Sequence, residues 1–477
     1  MIEVSDNIFS YISSLYGEQA AKNYVDFIKR EPAQYIRVNT IKTNKKELAQ
    51  RLFNDYSIST HEIPSINNAL KVTGGNETLG KTVEHIIGNY YIQGLSSMIP
   101  PLVLSPKPED VVLDLCAAPG SKTTGLGEMM MNRGTLIANE IALDRVKMLV
   151  YNIDRMNMMN AGVVHYKGEW LSKIYSEHFD KILVDAPCSG LGIVQKKGEV
   201  NNWWSLERAE KLGDLQLRLL IAAIKMLKEG GEVVYSTCTL TPEENEFIIN
   251  KVLQKYPVEI IDIELPVSSG EGFTFYNGEK LNPAISKARR ILPWEADSDG
   301  FFIIKLRKTG GTESPEMILP KVKDLKLLDY KSKEITKLFS NIEKEFGIGA
   351  DALNEYKYLI KRNDIYFIDK DWSDENLGLF ERIGTRFGII DKNTKVILHT
   401  QAAQVLQKEI KDRIYTIENL EELKIYLDGG TIKSKILSNG QCAVKYKDNI
   451  LGTAVVTSSG IKSRFPRAKR TQEILVQ

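Results

Sequence analysis

The chain has 477 residues, enough for about three domains on a length prior, and its 43% hydrophobic content allows each a packed core. Sixty-three Lys and Arg against 62 Asp and Glu leave a net charge of +1, so no whole-chain charge marks a nucleic-acid binder and any phosphate-binding surface has to be a local patch. Four cysteines without a CxxC pair and only five histidines argue against a disulfide framework or a structural metal site. There is no bilayer-length apolar run and no signal-like apolar core at the start. The expectation is a cytoplasmic monomer with no membrane and no metal.

Residues 5–29 read as helical, with Ile8, Ile12, Leu15 and Tyr16 at helical spacing before Gly17 and Tyr24, Phe27 and Ile28 after it. Pro32 ends the run. A strand over 35–40 and a helix over 45–53, with Leu48 and Leu52 on one side, begin a small α/β domain that short strand-like segments carry to about residue 92. From residue 96 to 310 strand and helix alternate, the signature of a parallel sheet. Strands are expected near 111–115, 135–139, 162–166, 181–185 and 231–236, and helices near 121–132, 142–157, 205–228 and 242–254. Gly230 and Gly231 are expected to end the third of those helices, and apolar segments at 258–263 and 301–306 to complete the sheet. A polar break over 308–315 reads as a linker. Beyond it, 311–395 mixes a helix over 330–346 with short strands such as 364–368. From 396 strands dominate, with turns at Gly429, Gly430, Asn439 and Gly440. The segment 460–470 carries Lys462, Arg464, Arg467, Lys469 and Arg470 and no acid. Phe465 and Pro466 between them favour a docked segment with its cations facing out over a solvated tail.

Two apolar runs, 181–187 and 232–237, lead into Cys188 and Cys238. A cysteine just past the carboxyl end of a buried parallel strand faces the crevice where open α/β sheets bind ligands. A third run, 111–115, feeds the small-residue loop 116–122, and the helix after it offers free amides. Glu140 ends the next strand, about 20 residues on, where an acid commonly holds ribose hydroxyls. One crevice is therefore expected to take a nucleotide-like cofactor beside two thiols. The absence of a spaced three-glycine fingerprint disfavours a nicotinamide oxidoreductase.

The segments DLCAAPGSK (114–122), DAPCSG (185–190) and STCTL (236–240), in that order, resemble the Nop/Sun family of RNA cytosine-5 methyltransferases over residues 30–310. QGLSSM (93–98) is similar to the family segment leading into the cofactor domain, and RVNT (37–40) to one in a small RRM-like domain that precedes it. The end of the chain resembles the PUA-like extension of bacterial ribosomal-RNA members. The resemblance implies an α/β fold: a Rossmann-like class I methyltransferase domain over 96–310, an N-terminal helical and RRM-like α/β domain over 1–95, and a C-terminal α+β, PUA-like region. The last comprises a linker and small α/β region over 311–395 and an RNA-binding domain over 396–477. Residues 37–40 are read as either an RNA contact or a packing accessory.

The same resemblance implies S-adenosylmethionine as cofactor, held by Cys116, Ala117, Ala118, Pro119, Gly120, Ser121, Lys122, Glu140, Arg145 and Asp185. It implies a cytosine in RNA as substrate, with 16S ribosomal RNA and the 30S subunit as expected partners and tRNA as the alternative. Thiolate addition at C6 would make C5 able to attack a sulfonium methyl. The resemblance makes Cys238 that nucleophile, Cys188 the thiol assisting breakdown of the adduct, Asp185 a contact to the cytosine, and Lys196 a contact to base or phosphate. DNA cytosine methyltransferases resemble this chemistry but use the Pro-Cys thiol, so the reverse assignment stays open. A capping box at 241–244 is expected to start a helix beside Cys238. Cys116 and Cys442 read as structural. This chain departs from the family at 165–169, HYKGE, where the acid on the adenine side is displaced to Glu169 or absent. It departs again at Pro293 and Trp294, where Pro-His is frequent, which bears on the crevice wall. Intact Cys188, Cys238 and Asp185 speak against a non-catalytic ribosome assembly factor.

Overall fold

The computed structural model describes residues 3–313, 324–434, 437–470 and 473–475; Ser314 and Pro315 of the expected linker lie outside the described residues. Short runs rich in Val, Ile and Leu make the five parallel strands at its centre. They pair in the order Ala161–Val164, Thr135–Asn139, Val111–Asp114, Phe179–Asp185, Leu227–Thr237. Phe301–Lys308 joins antiparallel beside Leu227–Thr237, and Val258–Ile261 and Arg289–Ile291 both pair with it. Helices Ser121–Met129 and Leu143–Met156 bury one face of this sheet, while Leu206–Met226 and Glu246–Leu253 bury the other. That is a Rossmann-like α/β layering. Strand order reverses on either side of Val111–Asp114, and at such a switch point a crevice opens at the carboxyl ends of the strands.

The expected strands and helices of this region are present, with two corrections. Helix Leu206–Met226 stops before the glycine pair. Gly230 and Gly231 instead lie in a bulge of Leu227–Thr237, where residues 228–231 face the single Asp180. A Cβ on Gly231 would meet Lys228 O at 2.9 Å, and Gly230 has φ 79°, so the glycines serve the bulge. The helix expected to start at the capping box begins later: a 3-10 turn, Pro242–Glu244, precedes helix Glu246–Leu253.

Helices Asp6–Tyr16 and Glu18–Lys29 break at Gly17 and pack Ile8, Ile12, Tyr24 and Phe27 on Leu191, Val194 and Trp204. Trp294 stands edge-on to Tyr16 and Tyr24, with ring centroids 5.7 and 6.0 Å away. It anchors these helices, and the crevice wall is built by other residues. Strands Gln34–Val38, Ser59–Glu62, Ala69–Gly74 and Tyr90–Ile92, with helices Lys45–Tyr56 and Val83–Ile86, follow the βαββαβ order of an RRM. One sheet face takes Ile36 and Val38 onto Leu48 and Leu52. The opposite face, which an RRM uses to stack bases, is turned inward here. Arg37, its side chain 4% exposed, donates to Ser121 O and to Thr124 Oγ1 (2.7 Å) and pairs with Glu128 (3.3 Å). Asn39 Nδ2 donates to Gly88 O and Met156 O. Of the two readings of residues 37–40, packing is the one that stands. A guanidinium this buried has to be satisfied by its surroundings, and helix Ser121–Met129 does so.

Strand Phe380–Ile383 pairs antiparallel with Ala161–Val164 and covers the far edge of the central sheet. A second sheet runs Leu328–Asp329, Tyr356–Lys361, Asp364–Asp369, Thr385–Ile390, Val396–Leu398. Its last pairing, Gly388 with Leu398, crosses the boundary expected at residue 395. That boundary cuts through one sheet. The last sheet is built from Ile414–Thr416, Gly440–Tyr446, Asn449–Thr457, Gly460–Ser463 and Thr431–Ile432. It packs on Val83, Ile86 and Ile87. Phe465 is fully buried beside Tyr426, so segment 460–470 is docked. Its five cations divide, however. Lys469 Nζ is spent on Ile86 O at 2.9 Å and Arg470 on Phe465 O, leaving Lys462, Arg464 and Arg467 exposed.

Glu232, on Leu227–Thr237, takes Lys181 Nζ at 2.6 Å from one neighbouring strand and Lys305 Nζ at 2.8 Å from the other. Burial works to raise its acidity constant, yet the two lysines outweigh burial and hold it at about 2, below the ordinary 4.5. A carboxyl depressed in this way stabilises the fold above pH 4.5 and loses that contribution as pH falls toward 2. Glu232→Gln should therefore cost about 1–2 kcal/mol at pH 7, allowing for solvent screening. Urea unfolding of both proteins from pH 7 to pH 3 should show the gap narrowing; a constant gap would refute the assignment.

Candidate active site

Strands Phe179–Asp185 and Leu227–Thr237 stay paired to their ends: Asp185 lies opposite Ser236, and Ala186 N–H donates to Ser236 O at 2.9 Å. Both cysteine turns therefore leave the sheet side by side. Cys188 Sγ and Cys238 Sγ are 2.9 Å apart, and Cys238 N–H donates to Cys188 Sγ at 3.2 Å. A disulfide would need about 2.05 Å, and both are free thiols. The contact with Cys238, followed by burial, pushes the Cys188 pKa well above the ordinary thiol value. Cys188 thus holds its proton more tightly than an ordinary thiol.

Asp185 Oδ1 accepts from Ser236 Oγ at 2.8 Å, and Oδ2 pairs with Lys122 Nζ at 2.7 Å. Lys122 also donates to Ser97 Oγ at 3.0 Å and lies 5.2 Å over the Phe301 ring. Burial works to lower its pKa, but Asp185, with help from Cys238 and Asp114, wins and raises it. Lys122 therefore joins the cofactor-type loop to the thiol site as a permanent cation. From sequence it belongs to the loop alone.

The cysteine turns are locked by close backbone approaches. Gly192 N–H donates to Cys238 O at 3.0 Å, and Gly300 N–H to Gly192 O at 2.8 Å. A Cβ on Gly192 would stand 2.4 Å from Gly300 O and 2.8 Å from Cys238 O. The capping-box residues turn inward rather than opening a helix beside Cys238. Thr241 Oγ1 donates to Glu244 Oε2 at 2.7 Å, and the fully buried Glu244 carboxylate also accepts from Ser189 and Gln216. Burial raises its pKa against the pull of those donors.

The thiols and Asp185 face a cleft of about 380 Å³. Of the residues expected to hold a cofactor, Cys116, Ala118, Glu140, Arg145 and Asp185 line it. Ala117, Pro119, Gly120, Ser121 and Lys122 do not; they shape the loop. Ala117 N–H donates to Asn139 O, Pro119 O accepts from Asn152, and Gly120 turns the chain at φ 104° into helix Ser121–Met129. Glu140, 3% exposed, takes Ala142 N–H at 2.9 Å and faces Arg145 at 3.4 Å, while Arg145 also donates to Ala118 O. Burial drives the Cys116 pKa well up, as it drives Cys442 to about 11. Glu169 lines the cleft, 3.8 Å from Arg218.

The Lys196 ammonium pairs with Asp299 at 2.8 Å, and the cleft is lined by its neighbour Lys197. Both amides bond to Ile193 O in the same turn, so a Lys-Lys doublet cannot reveal which cation faces inward. Trp203 and Ile141 also line the cleft. Nothing in their sequence surroundings marks them.

A family model described as 16S rRNA methyltransferase RsmB/F matches residues 101–307. The chain is 30% identical over 465 residues to a ribosomal RNA small subunit methyltransferase F of Shewanella piezotolerans, covering 94% of this chain and 93% of that one. It is 38% identical over 274 residues to a tRNA (cytosine(49)-C(5))-methyltransferase of Pyrococcus abyssi, covering 57% of this chain and 87% of that one. The crystal structure of NSun6 from Pyrococcus horikoshii with SFG is similar at a TM-score of 0.56 and 25% identity, covering 64% of this chain and 98% of that one.

Gly192→Ala tests the backbone lock. Its methyl group has carbonyl oxygens on two sides that cannot rotate away, so the loop must shift. A loss of about 1–3 kcal/mol in denaturant unfolding is expected. An unchanged midpoint would mean that the loop yields freely.

Proposed function

We propose that this chain, which belongs to the 16S rRNA methyltransferase RsmB/F family, is an RNA cytosine-5 methyltransferase forming 5-methylcytosine in small-subunit ribosomal RNA. The observation that carries the chemistry is the pair of thiols 2.9 Å apart beside Asp185 at one end of the cleft. The observation that favours ribosomal RNA is similarity along 94% of the chain to a small-subunit enzyme, where the tRNA enzyme matches 57%. On this reading the last sheet is a PUA-like RNA-binding module.

The cleft fits S-adenosylmethionine: about 380 Å³ lies within the usual range for small-ligand pockets. Glu140 would hold ribose hydroxyls, Arg145 and the Ala118 loop would border them, and Glu169 would serve the adenine side. When bound, the cofactor supplies an electrophilic methyl group. Cys238 gives up its proton to solvent as its sulfur bonds to C6 of the cytosine, and the displaced ring electrons make C5 nucleophilic. Asp185, oriented by Ser236 and Lys122, contacts the base while charge develops on it. After transfer the C5 proton passes to solvent, the electrons it leaves re-form the C5–C6 double bond and expel the Cys238 sulfur, and Cys188 shares its proton with the departing thiolate. The cytosine has to be unstacked for this, because neither face of C5–C6 is open in a helix.

Bisulfite sequencing of total RNA from cells with and without the gene should show one 16S cytosine losing its mark. Loss at a tRNA position instead would establish the tRNA reading. Cys238→Ala should give neither methylation nor adduct, and Cys188→Ala should accumulate a denaturant-stable protein–RNA complex that requires the cofactor. The reverse pattern would exchange the roles of the two thiols. Neutralising Lys462, Arg464 and Arg467 should raise the KM for RNA and flatten the salt dependence of binding by roughly 0.7 per lost phosphate contact. Cofactor affinity should stay constant. An unchanged salt slope would remove this segment from the RNA interface.

A further inference from the structure

We propose that Glu244 and Gln216 are positioning residues that hold Cys188 against Cys238 and thereby set how fast the covalent adduct resolves. The proposal rests on the two-thiol reading given above. Glu244 is fully buried, and its two oxygens receive donors from three separate parts of the chain. Oε1 accepts Ser189 N–H at 2.8 Å and Gln216 Nε2 at 2.8 Å; Oε2 accepts Thr241 Oγ1 at 2.7 Å and Ser189 Oγ. Gln216 Nε2 also donates to Pro187 O at 2.8 Å. The residues on both sides of Cys188 are thus tied, through one carboxylate and one amide, to helix Leu206–Met226.

The two cysteine turns differ in what else holds them. The turn bearing Cys238 has three anchors that do not involve Glu244: Gly192 N–H on Cys238 O, Asn245 Nδ2 on Thr239 O at 3.1 Å, and Arg290 Nη1 on Leu240 O at 2.9 Å. The backbone at Pro187 and Ser189 is held by Gln216 and Glu244, and beyond them the Ser189 hydroxyl meets, among the described residues, only Thr239 Oγ1 at 3.0 Å and Trp204 Nε1 at 3.3 Å. Releasing the clamp should therefore free Cys188 while Cys238 stays in place. A carboxylate suits the task because it only accepts, and its two oxygens can take four donors. Holding a charge this deep is costly unless the charge is fully hydrogen-bonded, and here it is.

The test uses full-length protein with Gln216→Met, Glu244→Leu, Glu244→Gln and Cys188→Ala. Gln216→Met is the mildest change, since Gln216 Oε1 has no hydrogen-bond partner among the described residues and an orphan acceptor leaves with the two bonds. Turnover on substrate RNA, trapped protein–RNA complex on denaturing gels, cofactor titration and thermal unfolding are measured for each. The expected result is turnover lowered about 10- to 100-fold in Gln216→Met and Glu244→Leu, with KM within about twofold of the parent. Both should accumulate adduct as Cys188→Ala does. Glu244→Gln should recover most of the turnover, because the Ser189 and Thr241 hydroxyls can turn to accept from its amide.

Should Glu244→Leu fail to fold, Gln216→Met carries the test alone. Parental turnover in folded Gln216→Met, with adduct accumulating in Cys188→Ala, would overturn the clamp and leave the covalent mechanism standing. Loss of turnover without adduct would mean that the clamp serves Cys238, which also overturns the proposal. No adduct in Cys188→Ala would bring down the two-thiol reading itself, and the clamp with it.

Discussion

Fifty residues separate Cys188 from Cys238 along the chain, and one register removes that distance. Phe179–Asp185 and Leu227–Thr237 run parallel, and the pairing of Asp185 with Ser236 keeps their carboxyl ends level. A slip of one residue would send one turn's side chains to the opposite face of the sheet. The bulge at residues 228–231 absorbs the mismatch at the other end of the pair, leaving the functional end in step. The ion pair between Asp185 and Lys122, the Gly192–Gly300 contact and the Glu244 knot all assume that alignment.

The site is also held from outside the catalytic sheet. Arg37 reaches from the N-terminal sheet to Ser121 O and Thr124 in the helix that follows the cofactor-type loop. Tyr35 OH donates to Asp297 O at 3.0 Å, two residues from the Asp299 that engages Lys196. An RRM-like fold has here exchanged an open sheet face for an internal contact. Any RNA binding in the N-terminal region has to use another surface.

On the far side, Phe380–Ile383 closes an edge that would otherwise expose unpaired backbone groups. The last sheet returns to the N-terminal domain through Lys469 on Ile86 O, Lys447 on Asp55 and Lys81 on Glu473. Residues 55–86 and 447–473 thus meet. The exposed Lys462, Arg464 and Arg467 are consequently carried on a docked element, where less backbone freedom is lost on binding a phosphate than on a free tail.

The sequence by itself determined the local structure and which side chains stand at the crevice. The aliphatic runs at 111–114, 135–139 and 179–185 make strands because short, β-branched segments bounded by turn residues have few alternatives. Cys188, Cys238, Asp185 and Glu140 were legible because each sits at a strand's carboxyl end, which in this layering faces the crevice. Tertiary structure decided whatever depended on partners distant in the chain. It set Lys197 into the cleft and Lys196 onto Asp299, paired Lys122 with Asp185, spent Arg37 and Trp294 on packing, and turned the capping box inward onto Ser189 and Gln216. In each case a charged, aromatic or hydroxyl side chain had several possible partners. Burial makes an unpaired polar group costly, and only the assembled fold determines which partner is within reach.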